Sequence, residues 1–125
     1  MQESEPKRGA ARIIGAFFIS LRGLGCCFRE EEAFRQEVLL YLVLLPVILL
    51  MPVSPALKLI LFFANSLVLI VEVLNSAVEA VVDLASPEYH ELAGRAKDMG
   101  SAAVFISLTV AGVSWASALL LILFR

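Results

Sequence analysis

Three stretches of the chain are unbroken apolar runs, each flanked by charge. "VLLYLVLLPVILLMPV" (38–53) contains no charged residue. It is a little short of the roughly 20 residues that cross a hydrocarbon core. Its flanks extend it to a predicted span of about 36–53, and Pro46 predicts a bend. "SPALK" is a tight connection in which Ser54-Pro55 predicts a helix start. From there an apolar run continues into "IVEVLNSAVEAVVD" (70–83), giving a second span of about 56–84. Residues 102–124 are 23 positions without a charge, the clearest span, drawn as about 98–124. The stretch 29–37 reads as a charged turn with a helix start on its far side, and 85–100 as a polar connection.

Ahead of these runs the pattern changes. Over 10–28, Ile13, Ile14, Phe17, Phe18, Leu21, Leu24 and Phe28 share one arc at about 100° per residue. Arg12, Gly15, Ala16, Ser20, Arg22 and Gly23 take the other side, with Ile19 as the exception. This is an amphipathic helix suited to a membrane interface. An ordinary core-facing helix is the alternative, but a chain this apolar offers it little soluble core. Residues 1–8 are polar and expected to fray. "AFFIS" is too short and too interrupted for a cleaved signal. The predicted fold is an all-α membrane protein, with three transmembrane helices and one N-terminal surface helix in a single domain of 125 residues.

Composition agrees: 60% of residues are hydrophobic, against about 45–50% in soluble domains. Adjacent Cys26 and Cys27 give neither a disulfide framework nor metal-ligand spacing. Charge sets the orientation. Lys7, Arg8, Arg12, Arg22, Arg29 and Arg35 precede the first span, and Arg95 and Lys97 lie between the second and third. Only Lys58 and Arg125 fall on the other side. The N-terminal helix and the 85–98 loop are therefore expected to face the cytoplasm.

Within the second span, Glu72, Asn75, Glu79 and Asp83 are spaced 3, 4 and 4. On a helix they fall at about 0°, −60°, −20° and +20°, one narrow stripe. Val73, Leu74, Ala77, Val81 and Leu84 lie opposite. A solvated helix end accounts for Asp83 better than for Glu72, and such a face would mix lysine with glutamate. An ionisable residue at membrane depth is costly and points to function. Clustered carboxylates bind Mg²⁺ and recruit phosphates, while one at headgroup level can accept a proton from a lipid hydroxyl. Arg12, Arg95 and Lys97 lie on the same side to hold phosphates. The combination suits phosphoryl transfer from a soluble nucleotide to a lipid alcohol. Neither "GLGCCF" nor "GRAKDMGS" is a P-loop.

"RIIGA" at Arg12, "EAFRQE" (32–37), "VEVLNSAVEAVVD" (71–83) and "EYHELAGRAKDMGSAAV" (88–104) together resemble the small bacterial integral-membrane diacylglycerol kinases. Undecaprenol kinases are the sister branch. The resemblance covers nearly the whole chain. It implies a homotrimer in the bacterial inner membrane with active sites between subunits. The reaction implied is transfer of the ATP γ-phosphate to diacylglycerol, giving phosphatidic acid. It further implies Glu72 as general base, Asn75 as an essential polar residue, and Glu31 with Glu79 as the Mg²⁺ pair beside ATP. Arg12, Glu88, Tyr89, His90, Lys97 and Asp98 match nucleotide contacts. Glu32, Ala33, Phe34, Arg35, Gln36 and Met99, with Arg12 and Glu72, lie where lipid is held. Ile19 and Leu21 depart from the more polar or aromatic residues expected in the surface helix, so a side-chain hydrogen bond to ligand there is absent.

Apart from the resemblance, Glu31 is not distinguishable from Glu30 or Glu32, and His90 or the pair Lys97 and Asp98 read equally as surface residues. The expected partners are ATP and a membrane lipid, with no nucleic acid. Two other readings stay open: the same chemistry on undecaprenol, and a small cation-transport subunit, which would carry polar residues along a whole span. A non-catalytic scaffold leaves the acidic stripe unexplained.

Overall fold

The computed structural model describes residues 8–125; the expectation of fraying at 1–8 falls outside them except at Arg8. It is all-α, in the order α1 (Ala10–Glu30), α2 (Glu32–Leu50), α3 (Pro55–Ala85) and α4 (Glu91–Leu123). All four helices are long and apolar enough to cross a membrane.

The connections are shorter than the charge pattern predicts. Between α1 and α2 only Glu31 leaves helical geometry, at φ −111° and ψ 109°. The charged run holds Glu, Ala, Arg and Gln, which favour helix, so charge density there does not mark a turn. Arg35 fastens this elbow: its Nη1 donates to the carbonyls of Phe28 (2.9 Å) and Arg29 (3.2 Å), two acceptors the end of α1 leaves open. Likewise 85–100 is mostly helix, with only 86–90 outside it. His90 caps α4, its Nδ1 accepting from the Leu92 N–H at 3.1 Å. Ser54 caps α3 by accepting from the Leu57 N–H at 3.2 Å, with Pro55 in the first turn. Helix α2 continues through Pro46 and ends at Leu50, three residues before the expected 53.

Helix α3 is the centre, packed chiefly on α4, then on α2, with α1 touching both α2 and α3. Its neighbours run antiparallel to it. Going up α4, Lys97 meets Asp83, Gly100 meets Asn75, and Trp115 meets Asn65. On α2, Tyr41 bonds Ser66 at 3.0 Å, while further along Leu49 accepts from Lys58 Nζ at 2.7 Å.

Ile48, Met51, Leu61 and Ala118 form a buried cluster, walled by Val53, Leu57, Trp115 and Ile122. This is the end of the bundle where α2 finishes and α3 starts. Outward faces stay apolar, with Leu39, Val43, Phe63, Ile106, Val113 and Leu121 all exposed. So much exposed apolar surface suits lipid rather than water. At about 1.5 Å per residue the 31 residues of α3 and 33 of α4 reach roughly 46 and 50 Å, longer than a ~30 Å hydrocarbon core. The carboxylates occupy the excess.

Candidate active site

Glu72 is the side chain around which the polar end is arranged. It is only 7% exposed, and it lies 17 positions beyond Pro55, about 26 Å along α3. Its charged neighbours are Glu37 from α2, Glu31 from the α1–α2 elbow, and Glu79 from its own helix. No arginine or lysine is paired with any of them: among the described residues the one salt bridge is Lys97–Asp83. Cys27 of α1 is buried beside the same group, its thiol 3.7 Å from Ser76 Oγ, and this contact seats the end of α1 on α3.

Asn75 and Glu79 are tied together. Asn75 Nδ2 donates to Glu79 Oε1 at 3.3 Å, a contact one helical turn apart. Further out, Lys97 Nζ lies 2.6 Å from Asp83 Oδ1, with both side chains partly exposed. The hydrogen bond and charge of Asp83 hold the Lys97 ammonium above the ordinary lysine value. Exposed pairs of this kind are weakly stabilising, so Lys97 is readily released to another anion.

The remaining predicted residues sort by position. Glu88, Tyr89 and His90 form the 86–90 connection beyond Asp83, with Tyr89 92% exposed. Asp98 and Met99 are exposed on the first turns of α4. Glu32, Ala33 and Gln36 are exposed on α2, where Gln36 Nε2 donates to Glu32 Oε1 at 3.3 Å. Phe34 and Arg35 have structural work: Phe34 is 2% exposed beneath the elbow, and Arg35 caps α1. Arg12 is not brought to the carboxylates of this chain. It lies 15 positions before Cys27, about 22 Å along α1. Glu37 was missed by the stripe because it comes from another helix. Its signal in the sequence is its place at the boundary where the charged run turns apolar.

An open apolar groove of about 740 Å³ lies between α1, α2 and α3. Leu24 and Phe28 of α1, Phe34 and Val38 of α2, and Leu69 and Val73 of α3 line it, and Arg29 also reaches it. A second, smaller cavity of about 210 Å³ runs between α2, α3 and α4 from Glu37 past Tyr41 to Asn65 and Trp115.

The profile of the prokaryotic diacylglycerol kinases matches residues 18–119. The chain belongs to the prokaryotic diacylglycerol kinase family. It is 52% identical to the diacylglycerol kinase of Pseudomonas aeruginosa over 112 residues, covering 90% of this chain and 91% of that one. The Escherichia coli diacylglycerol kinase is 48% identical over 107 residues, with 86% and 88% covered. That of Helicobacter pylori is 38% identical over 119 residues, with 94% and 93% covered. With such relatives and four apolar helices, this diacylglycerol kinase family member is a multi-pass membrane protein.

Proposed function

We propose that this chain phosphorylates diacylglycerol by direct in-line transfer of the ATP γ-phosphate, with Glu72 as the general base. The relatives' activity gives the substrate class. The observation that carries the mechanism is the burial of Glu72 among three carboxylates with no cation paired to them. If the Ser54 cap marks one face of the hydrocarbon, the roughly 26 Å from Pro55 puts Glu72 just inside the other face of a ~30 Å core. A glycerol hydroxyl resides at that depth. Glu72 accepts the hydroxyl proton as the oxygen attacks phosphorus and the bond to the ADP leaving oxygen breaks. The acyl chains lie in the apolar groove between α1, α2 and α3.

The acidic residues suit a divalent cation. Among the described residues no group of three His, Cys, Asp or Glu side chains could hold a metal ion, so a protein-only cage is absent there. Mg²⁺ is commonly held by one or two carboxylates, the remainder of its shell coming from phosphates and water. Glu31 and Glu79 would hold it, and it would neutralise charge on the β- and γ-phosphates. Lys97, released from Asp83, meets the phosphates from α4, and Glu88 to His90 with Asp98 border the nucleotide. Phosphoryl transfer depends mainly on positioning and electrostatics, so this small set of groups suffices.

In the same reading α2, α3 and α4 span the bilayer, α1 lies in the cytoplasmic interface, and the active form is a homotrimer. Support comes from the Lys and Arg distribution and from Arg12, too far along α1 to join the carboxylates of its own chain. The test is phosphate transfer from ATP in mixed micelles, with diacylglycerol and undecaprenol offered in parallel, with and without Mg²⁺. Glu72→Gln is expected to lower turnover by about 10²–10⁴-fold while leaving helix content and oligomer size intact. Near-normal turnover by that variant would remove the general base from the mechanism.

A further inference from the structure

Asn75 is held from two sides, and only one hold is a conventional hydrogen bond. Its Nδ2 donates to Glu79 Oε1. Its Oδ1 is buried with no hydrogen-bond partner and lies against Gly100 of α4. A Cβ placed on Gly100 would overlap that oxygen and stand 3.4 Å from Asn75 Cγ. No other glycine has this setting. Gly9, Gly15, Gly23, Gly94 and Gly112 face nothing within 4 Å, and Gly25 meets only the end of Arg29 at 3.6 Å.

We infer that Gly100 is a positioning residue of the phosphotransfer site: its missing side chain lets α4 hold the Asn75 carboxamide in the orientation that aims its amide nitrogen at Glu79. The inference rests on the reading of Glu79 as a cation ligand. A carboxamide is nearly symmetric in shape, so sterics alone do not choose between its two flips. Chemistry does. With the oxygen toward Gly100, it meets a Cα–H, a weak donor, and the NH₂ meets a carboxylate. The reverse flip sets the amide N–H groups against a C–H and the carbonyl against the Glu79 charge. Tying one Glu79 oxygen to Asn75 restricts a flexible side chain and leaves its other oxygen for a cation. Partners that orient a metal ligand in this way are typically worth about 10–100-fold in metal affinity or activity.

The fold supplies a clean test. On either side of Gly100, α4 is joined to α3 by Lys97–Asp83 and Trp115–Asn65. The group that a methyl at position 100 would strike is the end of a short side chain rather than backbone. Gly100→Ala is therefore expected to fold and to swing Asn75 away from Glu79. Turnover of the full-length protein in micelles would be titrated with Mg²⁺ for wild type, Gly100→Ala, Asn75→Ala and the double variant. Mg²⁺-dependent nucleotide binding would replace turnover where activity is low. The expected result is a rise of roughly tenfold in the Mg²⁺ half-saturation for Gly100→Ala, with the diacylglycerol KM unchanged. The double variant should be no worse than Asn75→Ala alone. An unchanged Mg²⁺ response in Gly100→Ala, or a full extra loss on the Asn75→Ala background, overturns the inference. Should Gly100→Ala not fold, folding of the double variant supports the contact and its failure overturns it. Glu79→Gln separates the two claims: an unchanged Mg²⁺ half-saturation there sinks the cation reading, while a thermal-unfolding cycle on Gly100 and Asn75 still reports their contact.

Discussion

Asn65 is 8% exposed and uses half of its side chain. Its Oδ1 accepts from Trp115 Nε1 at 3.0 Å, while its Nδ2 is buried with no partner. Removing the indole donor leaves both ends of the amide unmatched. Trp115→Phe is therefore expected to destabilise the protein by about 1–3 kcal/mol, whereas Asn65→Leu combined with Trp115→Phe removes both partners and comes out close to neutral. Unfolding of the purified variants in micelles checks both. At this scale the candidate site is legible only where helix geometry carries it. Glu72, Asn75 and Glu79 announce themselves by spacing along one helix. Glu37 and Gly100 do not, because each matters through a neighbour on another helix: Glu37 through Glu72, and Gly100 through the space it leaves for Asn75.

The elements show the same division. The apolar runs place α2, α3 and α4, and Ser54-Pro55 opens α3 as the capping pattern predicts. The charged segments do not mark connections, since glutamate, arginine and glutamine favour helix. What stops α1 is a single extended residue, Glu31, stapled by Arg35 from the next helix. That staple reaches back only six and seven residues, but it joins residues that all favour helix, so no turn signal marks it. Arg35→Ala is expected to free the last carbonyls of α1. Amide exchange at the α1–α2 elbow should quicken while the α3–α4 amides keep their protection, a contrast that mass spectrometry resolves peptide by peptide. Equal acceleration throughout would mean that Arg35 supports the whole fold instead.

Across the whole molecule the two ends differ in kind: an apolar cluster around Leu61 at one, carboxylates around Glu72 at the other. Arg12 belongs to neither within its own chain. On the proposed homotrimer, mixing Arg12→Ala protein with Glu72→Gln protein is expected to restore part of the turnover each lacks, because some mixed assemblies would pair an intact Arg12 with an intact Glu72 from the neighbour. No recovery would put both residues to work in one subunit, or Arg12 outside the site. The antiparallel pairing of α3 with α4 has a further consequence. Asn65 to Asp83 and Trp115 back to Lys97 each cover 18 positions, about five full turns. The two helices thus carry matching rulers with one tie at each end. Inserting or deleting a single residue within either interval would turn one tie by about 100° relative to the other. Descendants of this gene should therefore vary in length at 86–90 and at the termini, and hold the distance between the ties fixed.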